Sequence, residues 1–346
     1  MATRGVVHPS ANDRAMGTAT IRIVASSLRS VAMASGRSKR AASPRRRVYR
    51  RAMSAIPHCL VVAALLLVSA CTRPAAADRQ SLRFGIAAFG DIEPLRQAEA
   101  IAAMGFDYLE PGLASAVAMS EPDRAAIRDR LARLGIRIEV MNWFLPPDLK
   151  VTGPAVDRAR IRAYLEQALA VAESFGAEVI VFGSPAARSH PADFPREQAW
   201  QQLREFLRLC GDLIDERRLG MVIAIEALRR PESNIVNTAA EALQLAREVG
   251  HDKVRVVVDF YHLMFENEDP AVVLQARELL VHVQIAEPRE RGFPVAGEPD
   301  PRFETLCTNL RRIGYRGRVS LEGKPAAFPT DAPASLAWLR SMTVPR

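Results

Sequence analysis

Four short apolar runs in the second half of the chain each lead to a side chain with an oxygen donor. Residues 221–225 lead to Glu226, 254–258 to Asp259, 281–283 to Gln284 and 319–321 to Glu322. The runs are rich in Val and Ile, which is typical of buried strands in a parallel sheet. Because parallel strands present their carboxyl ends at one edge, we expect these four side chains to converge.

Three carboxylates at one partly dry mouth would repel one another strongly unless a cation lay among them. The pattern therefore predicts a divalent metal ion. An all-oxygen ligand set without thiolate favours Mg²⁺ or Mn²⁺ over a structural zinc ion. Any one of these acids taken alone is equally consistent with the start of a surface loop, but the recurrence on four consecutive strands favours a site.

The elements that must position these residues alternate between strand and helix. Strands are predicted at 82–89, 108–110, 137–142, 178–182, 221–226, 254–259, 281–285 and 318–322, with amphipathic helices at 92–104, 122–134, 156–175, 196–218, 239–249 and 303–313. Eight strand-then-helix units in about 265 residues predict an α/β fold of the (βα)8 TIM barrel class. A doubly wound sheet is the alternative, and the lack of a G-x-G-x-x-G loop after the first strand disfavours it.

Several segments resemble a known family. They are Ile-Glu-Ala-Leu-Arg-Arg-Pro-Glu-Ser-Asn-Ile-Val-Asn-Thr at 225–238, Val-Asp-Phe-Tyr-His at 258–262, His-Val-Gln-Ile-Ala-Glu-Pro at 282–288 and Ser-Leu-Glu at 320–322. Together they are similar to the sugar phosphate isomerase/epimerase superfamily of xylose isomerase-like TIM barrels, and within it to the hydroxypyruvate isomerase branch. Residues 182–188 are also similar to the family's fourth strand and loop.

The resemblance implies a role for each site residue. The metal would be held by Glu226, Asp259, Gln284 and Glu322, with Glu226 and Glu322 also acting as the acid/base pair. The related ketose 3-epimerases usually have His in place of Gln284, so the metal site departs from theirs. The predicted substrate contacts are Glu232, His262, Arg188 and Arg291. The loop 287–297 lacks the family's usual Pro-Gly-x-Gly run, so the resemblance does not identify the substrate at this loop.

The expected chemistry is proton transfer next to a carbonyl group. A metal ion stabilises the charge of the enediolate that forms when the proton is removed, and the carboxyl groups take and return the proton. Return to the adjacent carbon is isomerisation, and return to the opposite face is epimerisation. The sequence does not distinguish these outcomes.

The charge is concentrated at the amino terminus. Of 47 Lys and Arg and 39 Asp and Glu, residues 1–80 hold 14 and 2, so residues 81–346 carry a net negative charge. A nucleic-acid partner for the folded part is therefore not expected.

The amino-terminal segment has the pattern of an export signal. An apolar run at 59–70 follows a cluster of arginines and is too short to span a bilayer. Leu-Val-Ser-Ala-Cys at 67–71 resembles a bacterial lipobox, which predicts lipidation of Cys71. We thus divide the chain into a basic leader 1–52, left untranslated if Met53 is the start, a signal peptide 53–71, a tether 72–80 and a barrel domain 81–346. The expected location is a cell-envelope lipoprotein facing the periplasm, or a soluble periplasmic protein if Cys71 is not lipidated.

The leading interpretation is a metal-dependent isomerase or epimerase of a sugar or hydroxy-carbonyl compound. Export makes phosphorylated substrates improbable. A lyase that cleaves oxidised (keto) glycosides would use the same site, and a lipid-anchored carbohydrate-binding barrel without turnover would retain it. A metal-dependent endonuclease ranks last, because it would need more than the four histidines found after residue 82. The oligomeric state is not predicted.

Overall fold

The structure is a computed structural model that describes residues 81–295 and 300–343. The predicted leader 1–52, signal peptide 53–71 with Cys71, and tether 72–80 lie outside the described residues. None of the helices in the described part is both long enough and apolar enough to cross a membrane.

The strands of the described part all belong to one sheet. They are β1 (Arg83–Ala87), β2 (Tyr108–Glu110), β3 (Arg137–Ile138), β4 (Val140–Met141), β5 (Val179–Phe182), β6 (Val222–Glu226), β7 (Val254–Asp259), β8 (Leu280–Ile285) and β9 (Arg318–Leu321). Every pairing between them is parallel, in the order β3-β2-β1-β9-β8-β7-β6-β5-β4.

Helices follow the strands along the chain. They are α1 (Ala98–Ala103), α2 (Leu113–Ala118), α3 (Glu121–Leu134), α4 (Arg158–Phe175), α5 (Pro185–Arg188), α6 (Arg196–Glu216), α7 (Ala239–Val249), α8 (Phe260–Phe265), a 3₁₀-helix at Pro270–Leu274, α9 (Arg302–Arg312) and α10 (Phe328–Thr343). Side-chain acceptors cap the amino termini of several helices, among them Ser120 before α3, Asp157 before α4 and Thr238 before α7. Each of these three ends at a glycine with left-handed backbone, which terminates the helix without a steric penalty.

The sheet closes on itself through a broken strand. Only Glu139 separates β3 from β4, so the two are halves of one strand that pairs with β2 on one side and β5 on the other. The result is a barrel of eight parallel strands, which confirms the predicted (βα)8 fold. The sequence predicted one continuous strand at 137–142, whereas the structure interrupts that strand at Glu139.

Every second side chain of a strand points into the barrel, so the interior side chains lie at successive heights along its axis. We call these heights layers and distinguish a lower, a middle and an upper one. A small apolar cluster fills the middle layer: Tyr108, Val140, Val179, Val181, Ala224 and Val257. Tyr108 also hydrogen-bonds Ser320 across the interior, with 2.8 Å between the hydroxyl oxygens. Two residues further along β2, β6 and β7 lie Glu110, Glu226 and Asp259, so the middle layer is the apolar base of the predicted site.

Ion pairs form the layer at the amino-terminal end of the strands. The Glu139 carboxylate, whose side chain is 5% exposed, accepts from Arg83 at 2.5 Å and from Arg318 Nε at 2.8 Å. Arg318 also pairs, through Nη2 at 2.5 Å, with Glu178, whose side chain is 63% exposed. Glu139 therefore links β1 and β9 to the break between β3 and β4.

We expect Glu139→Gln to lower the free energy of unfolding by about 1–3 kcal/mol, because it removes the charge that two largely buried guanidinium groups face. Glu178→Gln breaks an exposed pair with the same arginine and should cost less than about 1 kcal/mol. Urea denaturation of both variants measures the difference. Equal losses in the two variants would contradict the role given to Glu139.

Candidate metal and proton-transfer site

The predicted ligands lie together at the carboxyl ends of four consecutive strands. Glu226 ends β6, Asp259 ends β7 and lies beside Gln284 of β8 in the register, and Glu322 directly follows β9. All four are buried. The sheet thus places them as the sequence predicted, on adjacent strands and facing the same end of the barrel.

Burial changes the protonation of the three carboxyl groups. It raises the pKa of Glu226 to about 7. The guanidinium groups of Arg291 and Arg188 oppose this rise, and the carboxylates of Glu232 and Glu110 add to it. Burial also raises the pKa of Asp259, and it holds the pKa of Glu322 well above its ordinary value. Glu226 is therefore suited to exchange a proton near neutral pH.

Arg291 is the positive charge that faces this cluster. Its Nη2 lies 2.9 Å from Glu322 Oε2 and 3.4 Å from Asp259 Oδ2. The guanidinium carbon lies 4.1 Å from the ring centre of Phe89 and 4.5 Å from that of Tyr261, so the group is held between two aromatic rings. Burial by itself would lower the pKa of Arg291, but the facing carboxylates raise it. The structure thus places Arg291 beside the predicted ligands.

His262 presents one nitrogen to the carboxylates. Its Nδ1 accepts from the backbone N–H of Arg229 at 3.3 Å, so in the neutral ring the proton is on Nε2. Nε2 lies 3.3 Å from Asp259 Oδ2 and 3.5 Å from Glu226 Oε1, without the geometry of a hydrogen bond to either. Burial lowers the pKa of His262 to about 4, so the ring is neutral at pH 7. It is placed to donate to an oxygen that enters the site, as expected of a substrate contact.

Glu232 lies on the loop after β6, at the edge of the site, with its side chain 24% exposed. Its Oε1 accepts from Arg229 Nε at 2.6 Å and lies 3.5 Å from Arg291 Nη1. Of the predicted substrate contacts, Glu232, His262 and Arg291 are therefore brought together.

The prediction that Arg188 contacts a substrate is not supported. The side chain is 0% exposed, and its guanidinium donates to three backbone carbonyls, those of Phe182, Glu226 and Val236. It lies behind the end of β6 and fixes that strand to the loop that follows. The sequence pattern correctly predicted that Arg188 lies near the site. It could not show that the guanidinium faces backbone carbonyls and not the pocket.

Two further polar residues belong to the site. Glu110, at the end of β2, accepts from Gln284 Nε2 at 2.8 Å, and Asn142 Nδ2 donates to Glu322 Oε1 at 3.2 Å. Both end predicted strands, so the signal that identified the four ligands in the second half also marks them. Gly183 makes room for the cluster: an added Cβ would lie 2.2 Å from Glu226 Oε2.

Large apolar side chains are exposed at this end of the barrel. Among the described residues, the exposed large hydrophobic side chains are Trp143, Phe265 and Val295, and all three follow the carboxyl ends of strands. Trp143 has φ +44°, a strained backbone conformation for a bulky residue that is found most often at functional sites.

The residues present fit a divalent cation. Glu226, Asp259 and His262 each offer a ligand atom within 4.8 Å of the others. Gln284 Oε1 is buried and has no hydrogen-bond partner in the described part of the chain, which is unusual for a folded protein. Because His262 carries its proton on Nε2, we take the carboxylates and the Gln284 oxygen as the ligand set and His262 as a donor beside it.

Comparisons with known proteins agree with this architecture. The family description "Xylose isomerase-like TIM barrel" matches residues 98–342. A candidate hydroxypyruvate isomerase of Streptomyces coelicolor is 30% identical over 269 residues, which cover 72% of this chain and 92% of that protein. The D-psicose 3-epimerase of Agrobacterium fabrum is 27% identical over 231 residues, 65% of this chain and 77% of its own.

A solved structure adds to these sequence matches. The 3-keto-D-glucoside 4-epimerase of Escherichia coli superimposes with a TM-score of 0.62 at 25% identity, over 75% of this chain and 100% of that one. The resemblance identified from residues 225–238, 258–262, 282–288 and 320–322 is thus confirmed at the level of the family.

We expect the affinity for Mn²⁺ to rise with pH between 6 and 8, by about tenfold for each carboxyl group that titrates there. Glu226, with a pKa of about 7, holds a proton at pH 6 that Mn²⁺ must displace, and it is largely ionised at pH 8. Calorimetric titration at pH 6, 7 and 8 measures the change. Heats that vary with the ionisation enthalpy of the buffer at pH 6 would report the released proton directly, whereas an affinity independent of pH would contradict the prediction.

Proposed function

Because the chain belongs to the family of xylose isomerase-like TIM barrels, we propose that it is a metal-dependent isomerase or epimerase of a sugar or small hydroxy-carbonyl compound. The observation that carries the proposal is a pair of buried glutamates, Glu226 and Glu322, with raised pKa values and with two intervening strands between them. Two such groups allow the proton to be removed next to a carbonyl and returned from the opposite face, and either one alone can transfer it on a single face.

The divalent cation, held by Glu226, Asp259, Gln284 and Glu322, would stabilise the negative charge that develops on substrate oxygens, which favours Mg²⁺ or Mn²⁺ by ligand type. The protein's own groups do the rest. Without the cation, Glu226 is present in both protonation states at pH 7 because its pKa is about 7. With the cation bound, Glu226 is ionised and can take a proton from a substrate carbon.

Glu322 is held in place for its part of the transfer. Its Oε1 accepts from Asn142 and its Oε2 from Arg291, so the carboxyl plane is fixed at both oxygens. Such fixed orientation removes most of the entropic cost of aligning an acid with a substrate carbon. His262 donates from Nε2 to a substrate oxygen, and Glu232 accepts from a hydroxyl group at the edge of the site.

The substrates of the relatives and the exposed side chain of Trp143 support the substrate class. The relatives named above act on ketoses, hydroxypyruvate or an oxidised glucoside, which share a carbonyl next to a carbon bearing a hydroxyl group. The buried polar cluster suits that group, and the exposed indole of Trp143 suits the C–H face of a sugar ring.

The proposal also includes export. The arginine cluster, the apolar run 59–70 and the lipobox-like 67–71 support a cell-envelope lipoprotein anchored through Cys71. Metabolic labelling of expressing bacteria with a fatty-acid analogue should label the wild type and not Cys71→Ser. A wild type that stays unlabelled in the cytosolic fraction would contradict this part of the proposal.

We expect metal-dependent exchange of a substrate proton with solvent. Incubated with Mn²⁺ in deuterated water and a panel of free ketoses, aldoses and oxidised glycosides, the protein should incorporate deuterium next to the carbonyl, as followed by NMR. Glu226→Gln and Glu322→Gln should each reduce the rate at least about 100-fold, because each removes one group that transfers the proton. The product identifies isomerisation, epimerisation or cleavage.

Lys324→Ala is the matched control for Glu322→Gln. Lys324 lies two residues further along and its side chain is exposed, so its loss should change the exchange rate less than about threefold. Exchange that persists in both glutamate variants would overturn the proposed mechanism, and no exchange with any substrate despite tight metal binding would favour a binding protein.

A further inference from the structure

Glu110 is a buried carboxyl group at the end of β2 that the proton-transfer scheme does not use. It is 0% exposed, and both of its oxygens are engaged. Oε1 accepts from Gln284 Nε2 at 2.8 Å, and Oε2 lies 2.9 Å from His282 Nε2. Gln284 and His282 are two residues apart on β8, so both point into the barrel and meet Glu110 from across its interior.

The contact with Glu110 determines how the amide of Gln284 is oriented. A carboxylate can only accept hydrogen bonds, so it must face the NH₂ group of the amide and not the carbonyl oxygen. The carbonyl oxygen of Gln284 therefore points away from Glu110. This is the oxygen that is buried and has no partner among the described residues.

His282 fixes Glu110 in turn. With its proton on Nε2, His282 donates to Glu110 Oε2, since a carboxylate oxygen is an acceptor. With one oxygen committed to each neighbour, the carboxylate has no freedom to rotate. The orientation of the Gln284 amide is thus determined by two hydrogen bonds behind it.

We propose that Glu110 is a positioning residue for the metal site: it turns the Gln284 carbonyl oxygen toward the cation and keeps the NH₂ group away from it. This inference rests on the metal dependence in the proposed function. Opposite a carboxylate at position 110, the side chain at position 284 needs a hydrogen-bond donor on one side and a ligand atom on the other. Groups behind a metal ligand commonly change metal affinity by 10–100-fold when they are removed.

Glu110→Gln makes the prediction specific. With the His282 proton on Nε2, the new amide presents its oxygen to that N–H, so its NH₂ group faces Gln284. Gln284 then has to turn its own carbonyl oxygen back and point NH₂ at the cation. We expect Glu110→Gln to weaken Mn²⁺ binding about 10–100-fold while Tm stays within a few degrees of the wild type.

Exchanging the two residue types should restore binding. Gln284→Glu alone supplies a charged oxygen ligand but places two carboxylates in contact, so it should weaken Mn²⁺ binding at pH 7. In the double variant Glu110→Gln/Gln284→Glu, the amide at 110 donates to the carboxylate at 284, and the other carboxylate oxygen is free for the cation. The double variant should bind Mn²⁺ within about threefold of the wild type.

The wild type, the two single variants and the double variant are compared by the EPR signal of free Mn²⁺. No substrate is added, so the result does not depend on activity. Glu178→Gln is the control, because it makes the same change of residue type at an exposed position at the opposite end of the barrel, and its affinity should stay within about threefold of the wild type.

The inference is overturned if Glu110→Gln or Gln284→Glu alone binds Mn²⁺ as tightly as the wild type, or if the double variant is no tighter than the weaker single one. A wild type that does not bind Mn²⁺ overturns it as well. Absence of coupling in a protein that still exchanges substrate protons refutes this inference alone and leaves the proposed function standing.

Discussion

The structure depends on how one end of the barrel accommodates buried negative charge. Glu226, Asp259 and Glu322 are almost fully buried, and Glu110 lies behind them. Arg291 contacts two of these groups, and the buried guanidinium of Arg188 lies near Glu226. Raised pKa values are one response to the imbalance, because protonation removes charge, and a divalent cation is the other. The same imbalance thus accounts for both the acid/base capacity and the fit to a metal ion.

The layered interior makes this accumulation possible. Tyr108 and the small apolar residues of the middle layer exclude water from below, and several of the polar residues above them hydrogen-bond one another. Asn142 and Arg291 hold Glu322, and Glu110 holds Gln284. Each of these links joins strands that are distant in the sequence, so the site exists only when the barrel is closed. Closure at the break beside Glu139 is therefore a condition for the chemistry at the opposite end.

Much of this arrangement could be predicted from the sequence. An apolar run that ends in an acid identifies both a strand and the end of the barrel it faces, which located Glu226, Asp259, Gln284 and Glu322. The same rule marks Glu110, whose strand is only three residues long and was taken as a structural element. Arg188 shows the limit of the rule: spacing brings a charge near a strand end, but the fold decides whether it meets solvent or backbone carbonyls. The partner of Glu110 across the barrel depends on register, which the sequence pattern does not specify.

The separation of the interior into layers has an evolutionary consequence. Ion pairs around Glu139 and the apolar middle layer contribute to folding, whereas burying the carboxyl groups of the upper layer works against it, because their raised pKa values mean that ionisation is more costly in the folded chain than in the unfolded one. Substitutions of the carboxyl groups in the upper layer can therefore change the reaction at a modest cost in stability, and the cost is largest at Glu322, which is a partner of the buried Arg291. A lineage built on this barrel can lose activity easily, keep a stable fold, and later acquire a different chemistry at the same place.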